Sequence, residues 1–219
     1  MHRKLYLMAA IFALLAMLAL AIDVPVASMR EQRWLPGDLR RLVSLAEVFA
    51  HGMGVACILL TVLVLDRDHR RNVLRIGTCA FGAGLSVHLG KLSVIRWRPH
   101  QLSVDSVWDS FCGWFPAWNG IPAGVGDASD IQSFPSGHTA TAVGLAVGLA
   151  YYYPQGRWLF ALFAVLAATQ RIESGAHYPS DTLAGAALAC LVSALCFDPR
   201  VLGKWFDRYE RIERQQNAL

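Results

Sequence analysis

Charged residues are scarce in this chain, and that scarcity excludes an ordinary water-soluble domain. Asp, Glu, Lys and Arg make up only 16% of its 219 residues, whereas 55% are hydrophobic. Soluble domains carry about 25% charged residues, so this balance favours a membrane protein. The length suits a single domain covering residues 1–219.

A disulfide framework, internal repeats and low-complexity linkers are missing too. Four of the five cysteines fall in apolar runs and Cys112 stands alone in a predicted loop, which gives no pairing pattern. No fixed period recurs and no linker divides the chain, so one bundle is the simplest architecture. The net charge of +4 comes largely from the flanks of the apolar runs. Basic flanks meet anionic lipid headgroups, and nucleic acid is not implied.

Six apolar runs come near the roughly 20 residues needed to cross a hydrocarbon core. They predict an all-α fold, a polytopic membrane bundle with six transmembrane helices, at residues 5–22, 42–65, 73–95, 136–153, 158–172 and 182–197. The first run follows a basic start and precedes Val26-Ala27-Ser28. A cleaved signal peptide is therefore the alternative interpretation of that run.

Basic residues decide the expected topology. Six spans put both termini on one side, and the side richer in Lys and Arg is cytoplasmic. That side would hold the cations of residues 3–4, 67–71 and 157 and those after residue 198. The difference in Lys and Arg content between the two sides is reduced by basic residues in the first outer loop, which are Arg30, Arg33, Arg40 and Arg41. We expect cytoplasmic termini in a bacterial inner membrane, with the polar islands described below on the periplasmic side.

The longest segment outside the spans, residues 96–135, is rich in aromatic side chains. They are Trp97, Trp108, Phe111, Trp114, Phe115 and Trp118, and a Gly/Pro-rich stretch follows at 119–126. Indole and phenyl rings settle at the headgroup level, which predicts an outer interfacial loop. A lipid entrance would place aromatic rings at the same depth, so both interpretations stay open.

Three polar islands interrupt the apolar pattern, each at the same predicted end of a span. In the first, Lys91 and Arg98 are seven positions apart, which on one helix puts them on one face about 10 Å apart along the axis. Pro99 would end that helix at Arg98. A single cation at this position is more simply explained as positive charge that flanks a membrane span, and this explanation is enough for Arg96.

The second island, residues 134–138, opens the fourth span with the sequence Phe-Pro-Ser-Gly-His. Ser136 is a preferred N-cap residue, and Gly137 lets a ligand approach the backbone closely. Free N–H groups and the helix dipole make such a terminus an anion site, with His138 in its first turn. A cap with an incidental histidine is the alternative.

The third island joins the fifth and sixth spans and contains Arg171, His177 and Asp181. A carboxylate four positions after a histidine can hold the Nδ1 proton and leave Nε2 free as a nucleophile. A satisfied helix cap is the alternative. Together the islands supply cations, two histidines, a carboxylate and a helix N-terminus, which is a complete set for phosphoryl transfer.

The same residues resemble the type 2 phosphatidic acid phosphatase superfamily, whose signature is K-x6-R-P, then P-S-G-H, then S-R-x5-H-x3-D. The matching positions are Lys91, Arg98 and Pro99, then residues 135–138, then Arg171, His177 and Asp181. Gln170 stands where the family pattern has serine. The run Ser-Gly-Ala-His at 174–177 resembles the lipid A phosphatase branch.

The resemblance implies a membrane lipid phosphatase that needs no cofactor. His177 would attack phosphorus to form a phosphohistidine, Asp181 would orient it, and His138 would protonate the leaving group and then activate water. The nonbridging oxygens would be held by Lys91, Arg98, Ser136, Gly137 and Arg171. The substrate would be a lipid phosphomonoester or pyrophosphate, such as polyprenyl pyrophosphate, phosphatidic acid, phosphatidylglycerol phosphate or lipid A.

Three alternatives compete with this hypothesis. A metal could bind two histidines and a carboxylate, but three nearby cations would repel a divalent ion, so we expect none. A lipid-phosphate transporter or flippase needs the cations but neither the His177–Asp181 pair nor His138. A vanadate haloperoxidase is disfavoured because that chemistry is associated with soluble members of the superfamily.

Three further polar residues lie within or beside the predicted spans. Glu47 and His51 are four positions apart on the second span, and His88 precedes Lys91 by about one turn. Interhelical hydrogen bonds are an adequate explanation for such residues. A supporting role around the site is the alternative, because ionisable groups inside a membrane are functional candidates.

Overall fold

The computed structural model describes residues 1–29, 35–101, 105–115 and 127–216. Several sequence-based expectations fall outside these ranges. They concern Arg30, Arg33, Trp118 and the Gly/Pro-rich stretch at 119–126.

The described chain is mostly helical, with one short strand pair. The helices are α1 (His2–Ala19), α2 (Asp23–Met29), α3 (Gly37–Leu45), α4 (Gly52–Leu65), α5 (Asn72–Lys91), α6 (Gly137–Tyr152), α7 (Arg157–Glu173), α8 (Pro179–Phe197) and α9 (Gly203–Gln216). Two strands, β1 (Val94–Arg96) and β2 (Phe111–Trp114), lie between α5 and α6. A 3-10 turn at Leu20–Ile22 joins α1 to α2.

Helices occupy all six predicted positions, but not all of them meet the requirements of a membrane span. Among the described residues, three segments are long and apolar enough to cross a bilayer: His2–Met29, Asn72–Lys91 and Pro179–Phe197. A fourth span is possible if the bent pair Gly37–Phe49 and Gly52–Leu65 counts as one. Helices α6 and α7 have 16 and 17 residues, which is short for a span. The chain is a helical membrane protein, and the number of six spans is not confirmed.

The second predicted span is not one continuous helix. It breaks between α3 and α4 with a bend of 67°. A 3-10 turn at Ala46–Phe49 precedes the break, and His51 has an extended backbone with ψ of 135°. The turn folds back so closely that a Cβ on Gly54 would lie 2.0 Å from the Val48 carbonyl oxygen. Glycine is therefore required at the start of α4.

The expectation of a purely α-helical chain is also wrong at the C-terminal end of α5. This helix ends at Lys91 and does not continue to Arg98, because residues 94–96 form β1. Strand β1 pairs antiparallel with β2, with Val94 opposite Trp114 and Ile95 opposite Gly113. β-Branched and aromatic side chains fit a strand, and pairing between distant segments outweighs the helical preference of a short run.

Helix α6 lies at the centre of the bundle and packs against α5, α7 and α8. Small residues allow the close approach: a Cβ on Gly144 would lie 2.1 Å from the Cys79 carbonyl oxygen, and one on Gly148 would lie 3.0 Å from the Ile76 Cα. Small residues spaced by four are typical of packed membrane helices. Helix α1 packs along the other side of α8. The result is a bundle whose interhelical turns determine what lies at its two ends.

A buried arginine fixes the C-terminal helix to the bundle. Arg75, in the second turn of α5, is 1% exposed. Its guanidinium lies 2.7 Å from Asp207 Oδ1 and 3.0 Å from Glu210 Oε1, both on α9. It also lies over the rings of Phe197 and Phe206, 5.1 and 5.0 Å from their centroids. These contacts fasten α9 to the end of the bundle opposite Lys91.

Candidate active site

The structure brings the predicted site residues to one end of the bundle. Helices α5 and α7 end there and α6 and α8 begin there, as expected for neighbouring antiparallel helices. His138 lies within electrostatic range of His177, Arg171 and Arg98, and Lys91 lies within range of Arg98. Three separate polar islands therefore form one positively charged cluster around two imidazoles.

The link between α7 and α8 positions His177. Gly175, with φ of 70°, lies in the left-handed region and reverses the chain after α7. The N–H groups of Ala176 and His177 then donate to the Arg171 carbonyl at 3.2 and 3.1 Å. This turn returns the imidazole to the bundle, where only 4% of the residue is exposed.

The tautomer of His177 follows from its contact with Ser133. Its Nδ1 lies 2.6 Å from the Ser133 carbonyl oxygen. Because a carbonyl oxygen only accepts hydrogen bonds, Nδ1 carries the proton and Nε2 keeps its lone pair. Burial lowers the pKa of His177, and Arg98 and Arg171 oppose its protonation further, although Asp181 acts in the other direction. Burial therefore favours the neutral form of the imidazole.

Asp181 supports His177 differently from the sequence-based expectation. Its nearest oxygen is 3.8 Å from His177 Nδ1, beyond hydrogen-bond distance. That oxygen instead accepts from the Ser133 hydroxyl at 2.6 Å and from the Tyr178 N–H at 2.8 Å. Asp181 thus holds Ser133, and Ser133 holds the imidazole. Its negative charge remains close enough to stabilise a positively charged His177.

Arg171 combines an ion pair with an unused donor. Its Nη1 lies 2.8 Å from Glu47 Oε1. Its Nε is buried and has no hydrogen-bond partner among the described residues. A buried donor without a partner is costly, so an arriving acceptor would be stabilised at this position.

The other two predicted cations add positive charge around this donor. Arg98 donates from Nε to the Ser129 carbonyl at 2.8 Å. Burial and the nearby Arg171 lower the pKa of Arg98, which reflects a local excess of positive charge. Lys91 forms no ion pair in the part of the chain that the structure describes. The cluster therefore has the charge that a phosphate dianion requires.

The N-terminus of α6 has the predicted cap. Ser136 Oγ accepts from the Thr139 N–H at 3.4 Å and from the Thr139 hydroxyl at 3.0 Å. A Cβ on Gly137 would meet only Val87 Cγ1, at 3.8 Å, so packing does not require glycine there. The close approach of a ligand to Gly137 stays a prediction.

Sequence reasoning missed the most deeply buried cation of this end. Arg96 is fully buried, and the interpretation of it as flanking charge is wrong. Its Nη1 pairs with Asp181 Oδ1 at 2.5 Å and its Nη2 pairs with Asp23 Oδ2 at 2.7 Å. The guanidinium lies between two rings, 4.5 Å from the Phe111 centroid and 4.1 Å from that of Tyr178. Although burial opposes its charge, the two carboxylates keep the pKa of Arg96 raised.

A signal for this network was present in the sequence. Asp23 is the only acidic residue among the first thirty, and it follows a long apolar run. An ionisable residue in that position calls for a buried partner. The partner was hidden because a helix through Arg98 was expected where the chain forms β1.

The remaining polar residues divide clearly. Glu47 belongs to the site through Arg171, and the His51 ring lies 6.2 Å from that of His138. His88 is exposed, so a supporting role at the site is not indicated for it. Gln170 is buried, and its side-chain oxygen lacks a partner among the described residues.

Comparison with known proteins identifies the family. The model of the PAP2 superfamily matches residues 72–200, a range that contains every predicted site residue. The chain belongs to the PAP2 superfamily. This membership confirms the resemblance seen in the three motifs.

Curated relatives of this PAP2 protein include lipid phosphatases by name, and also a bacitracin transport permease protein BcrC of Bacillus licheniformis, 31% identical over 88 residues that cover 38% of this chain and 43% of that protein. A lipid A 1-phosphatase of Rhizobium etli is 33% identical over 113 residues, which cover 52% of this chain and 44% of that protein. Undecaprenyl-diphosphatase BcrC of Bacillus subtilis is 32% identical over 65 residues, covering 30% of this chain and 34% of that protein. The chain thus spans less than half the length of these relatives.

One solved structure supports the fold along almost the whole PAP2 chain. It is the PAP2 type phosphatidylglycerolphosphate phosphatase of Bacillus subtilis, with a TM-score of 0.57 and 17% identity. The match covers 94% of this chain and 96% of that one. At this identity the likeness concerns the fold alone.

Proposed function

We propose that this PAP2 protein is a membrane phosphatase that hydrolyses a lipid phosphomonoester or pyrophosphate through a phosphohistidine intermediate. The observation that carries the proposal is the tautomer of His177. Its Nδ1 proton is held by the Ser133 carbonyl, so a neutral Nε2 is available inside a cluster of cations. A site that only bound phosphate would gain nothing from such a nucleophile.

Two balanced steps follow from the arrangement. In the first, His177 Nε2 forms a bond to phosphorus, the bond to the leaving oxygen breaks, and His138 gives that oxygen a proton. In the second, His138 takes a proton from water, the water oxygen bonds to phosphorus, and the bond to Nε2 breaks. Asp181 stabilises the positive imidazolium present between the steps.

Cations and backbone donors complete the proposed site. Lys91, Arg98, Arg171, the Ser136 hydroxyl and the Gly137 N–H would hold the nonbridging oxygens as negative charge moves toward the leaving group. All of these groups belong to the protein, so we propose that the reaction needs no metal or other cofactor. Activity that disappears in EDTA and returns with a divalent metal would contradict this.

An apolar cavity supports a lipid as the substrate. A cavity of about 970 Å³ lies between α1, α5 and α8, the three segments that meet the requirements of a membrane span. Trp108 and Trp114 line it with Pro135 and Ser180, the neighbours of site residues Ser136 and Asp181. Such a volume suits a hydrocarbon chain. Lipid A and undecaprenyl diphosphate, named in the relatives, join phosphatidic acid and phosphatidylglycerol phosphate as candidates.

We further propose that α6 and α7 also cross the bilayer and that the site opens on the periplasmic side of a bacterial inner membrane. The positive-inside distribution of Lys and Arg supports this orientation. Labelling of single cysteines introduced at positions 68 and 101 of a variant that lacks the five native cysteines would test it. A reagent that cannot cross the membrane should label position 101 alone in intact spheroplasts.

The decisive experiment measures inorganic phosphate released by the purified protein from a panel of lipid phosphates, with and without chelator. We expect release with a chelator present, and none from His177→Ala. Arg171→Lys should weaken both binding and turnover, because lysine cannot reproduce the planar fork of arginine. Lipid binding without any phosphate release would favour a transporter, and full activity of His177→Ala would refute the nucleophile.

A further inference from the structure

A carboxylate lies inside the cationic cluster, and the mechanism above does not use it. Glu47 Oε1 is 2.8 Å from Arg171 Nη1 and 3.9 Å from His138 Nε2. Its side chain is 38% exposed, so it lies at the open side of the site and not in the core. One oxygen atom therefore stands between a proposed phosphate ligand and the proposed proton donor.

The break between α3 and α4 is what places Glu47 there. The turn that carries it is anchored by buried neighbours, Ala46, Phe49 and Ala50. The Phe49 ring packs against that of Phe163 on α7, with centroids 5.4 Å apart. The same break sets His51 beside His138. Glu47 and His51 of this segment thus both face the His138 imidazole. A break that only interrupted a membrane helix would not explain this placement.

We propose that Glu47 is a positioning residue that alternates between Arg171 and His138. Before substrate binds, its carboxylate occupies the place of a phosphate oxygen on Arg171. A bound phosphate displaces it, and the freed carboxylate turns to His138 and holds that imidazole in its protonated form. The inference rests on the proposed function, because it assigns His138 as the acid of that reaction.

The charges around His138 support this alternation. The groups that face it are Arg171, His177, His51, Arg98 and Glu47. Burial opposes a positive charge on His138, and the two guanidinium groups of Arg171 and Arg98 oppose it further. Within the described residues, Glu47 is the one carboxylate within 4 Å of His138.

The movement required is small. A hydrogen bond of about 2.8 Å would need the Glu47 oxygen to approach Nε2 by only about 1 Å. The bound phosphate dianion would drive this movement, because it repels the Glu47 carboxylate and competes with it for the Arg171 guanidinium. The carboxylate stays ionised throughout, and the proton that leaves is the one on His138.

Glu47→Gln tests the proposal, with Glu173→Gln as the matched control. Glu173 also pairs with an arginine, Arg40, at 2.7 Å, but it has no contact with His138. In Glu47→Gln we expect inorganic phosphate to bind roughly three- to tenfold more tightly, because a competing charge is gone. We expect kcat to fall about tenfold and its alkaline limb to move about one unit lower, because His138 loses its proton sooner.

Tighter phosphate binding together with a lower kcat distinguishes this role from a structural one, because a structural defect would weaken both. Weaker phosphate binding, or an unchanged alkaline limb of kcat, would overturn the proposal. If the Gln variant does not fold, Glu47→Asp and Glu47→Ala provide a second test. The alkaline limb of kcat should shift less in Glu47→Asp than in Glu47→Ala. If wild type released no phosphate from any lipid, the proposed function would fail, whereas calorimetric binding of inorganic phosphate would still test whether Glu47 competes for Arg171.

Discussion

Two buried arginines, one near the start of α5 and one on β1 beyond its end, show how one arrangement serves two purposes. Arg75 and Arg96 each pair with two carboxylates and each lie between two aromatic rings. The carboxylate partners of Arg75 are 42% and 10% exposed and come from one helix, α9. Those of Arg96 are fully buried and come from α2 and α8. One arginine fastens a peripheral helix, and the other holds a site residue in place.

Burial determines what each arrangement can tolerate. Removing one partner of a buried pair costs about 3–5 kcal/mol, because an uncompensated charge remains inside the protein. Partly exposed carboxylates can turn to water when their partner is lost. The two ends of the bundle should therefore respond very differently to the same substitution.

Arg96→Met should have the largest effect. It leaves Asp23 and Asp181 buried without a cation, so we expect about 3–5 kcal/mol of lost stability and loss of phosphate release. Thermal unfolding in detergent and the phosphate assay measure both. A variant with wild-type turnover would show that Arg96 serves the fold without serving the site.

Asp23→Asn should sharpen the comparison. It removes one carboxylate of the Arg96 network and leaves Asp181 paired. We expect a loss of about 1–3 kcal/mol, with kcat reduced about tenfold through a less rigid Asp181. Equal losses in kcat for Asp23→Asn and Asp181→Asn would break the distinction between a remote partner and a residue that supports His177.

Arg75→Met should affect stability alone. Because Asp207 can turn to solvent and Glu210 still accepts from the Tyr152 hydroxyl at 2.6 Å, we expect about 1–3 kcal/mol of lost stability and kcat within twofold of wild type. Protease sensitivity of α9, compared with unchanged phosphate release, is the measurement. A large loss of kcat would mean that the two ends are coupled through α5.

The smallest expected effect is that of Arg75→Met on the pH profile of kcat/KM. Only substitutions at the end of the bundle that holds His177 should change that profile. Burial lowers the pKa of His177, so the neutral imidazole persists at pH values below the ordinary histidine pKa of about 6.5. After correction for substrate ionisation, the acid limb of kcat/KM that reports His177 should lie below that pH, where pH decreases through the lowered pKa of this histidine. Arg75→Met should leave this profile unchanged, and an acid limb above pH 6.5 would contradict the burial argument.

The sequence predicted the grouping of the three polar islands better than the path of the chain around them. Local motifs such as Ser136 to His138 carry their own geometry, because capping and spacing act within a few residues. The pairing of Val94 with Trp114 and of Arg96 with Asp23 depends on segments far apart in the chain, which no local pattern reports. Likewise, the break at His51 results from packing of the 46–50 turn against α7, and hydropathy alone reads the segment as one span.

Asp23 lies outside the 72–200 range that defines the family, yet it supports a carboxylate within that range. The N-terminal segment is therefore more than a membrane anchor. A chimera that joined the 72–200 core of this protein to a foreign first helix would inherit all three motifs and still lack one of the two counter-charges of Arg96, the Asp23 carboxylate. Transplanting the proposed activity at its full rate would require moving α2 together with the core.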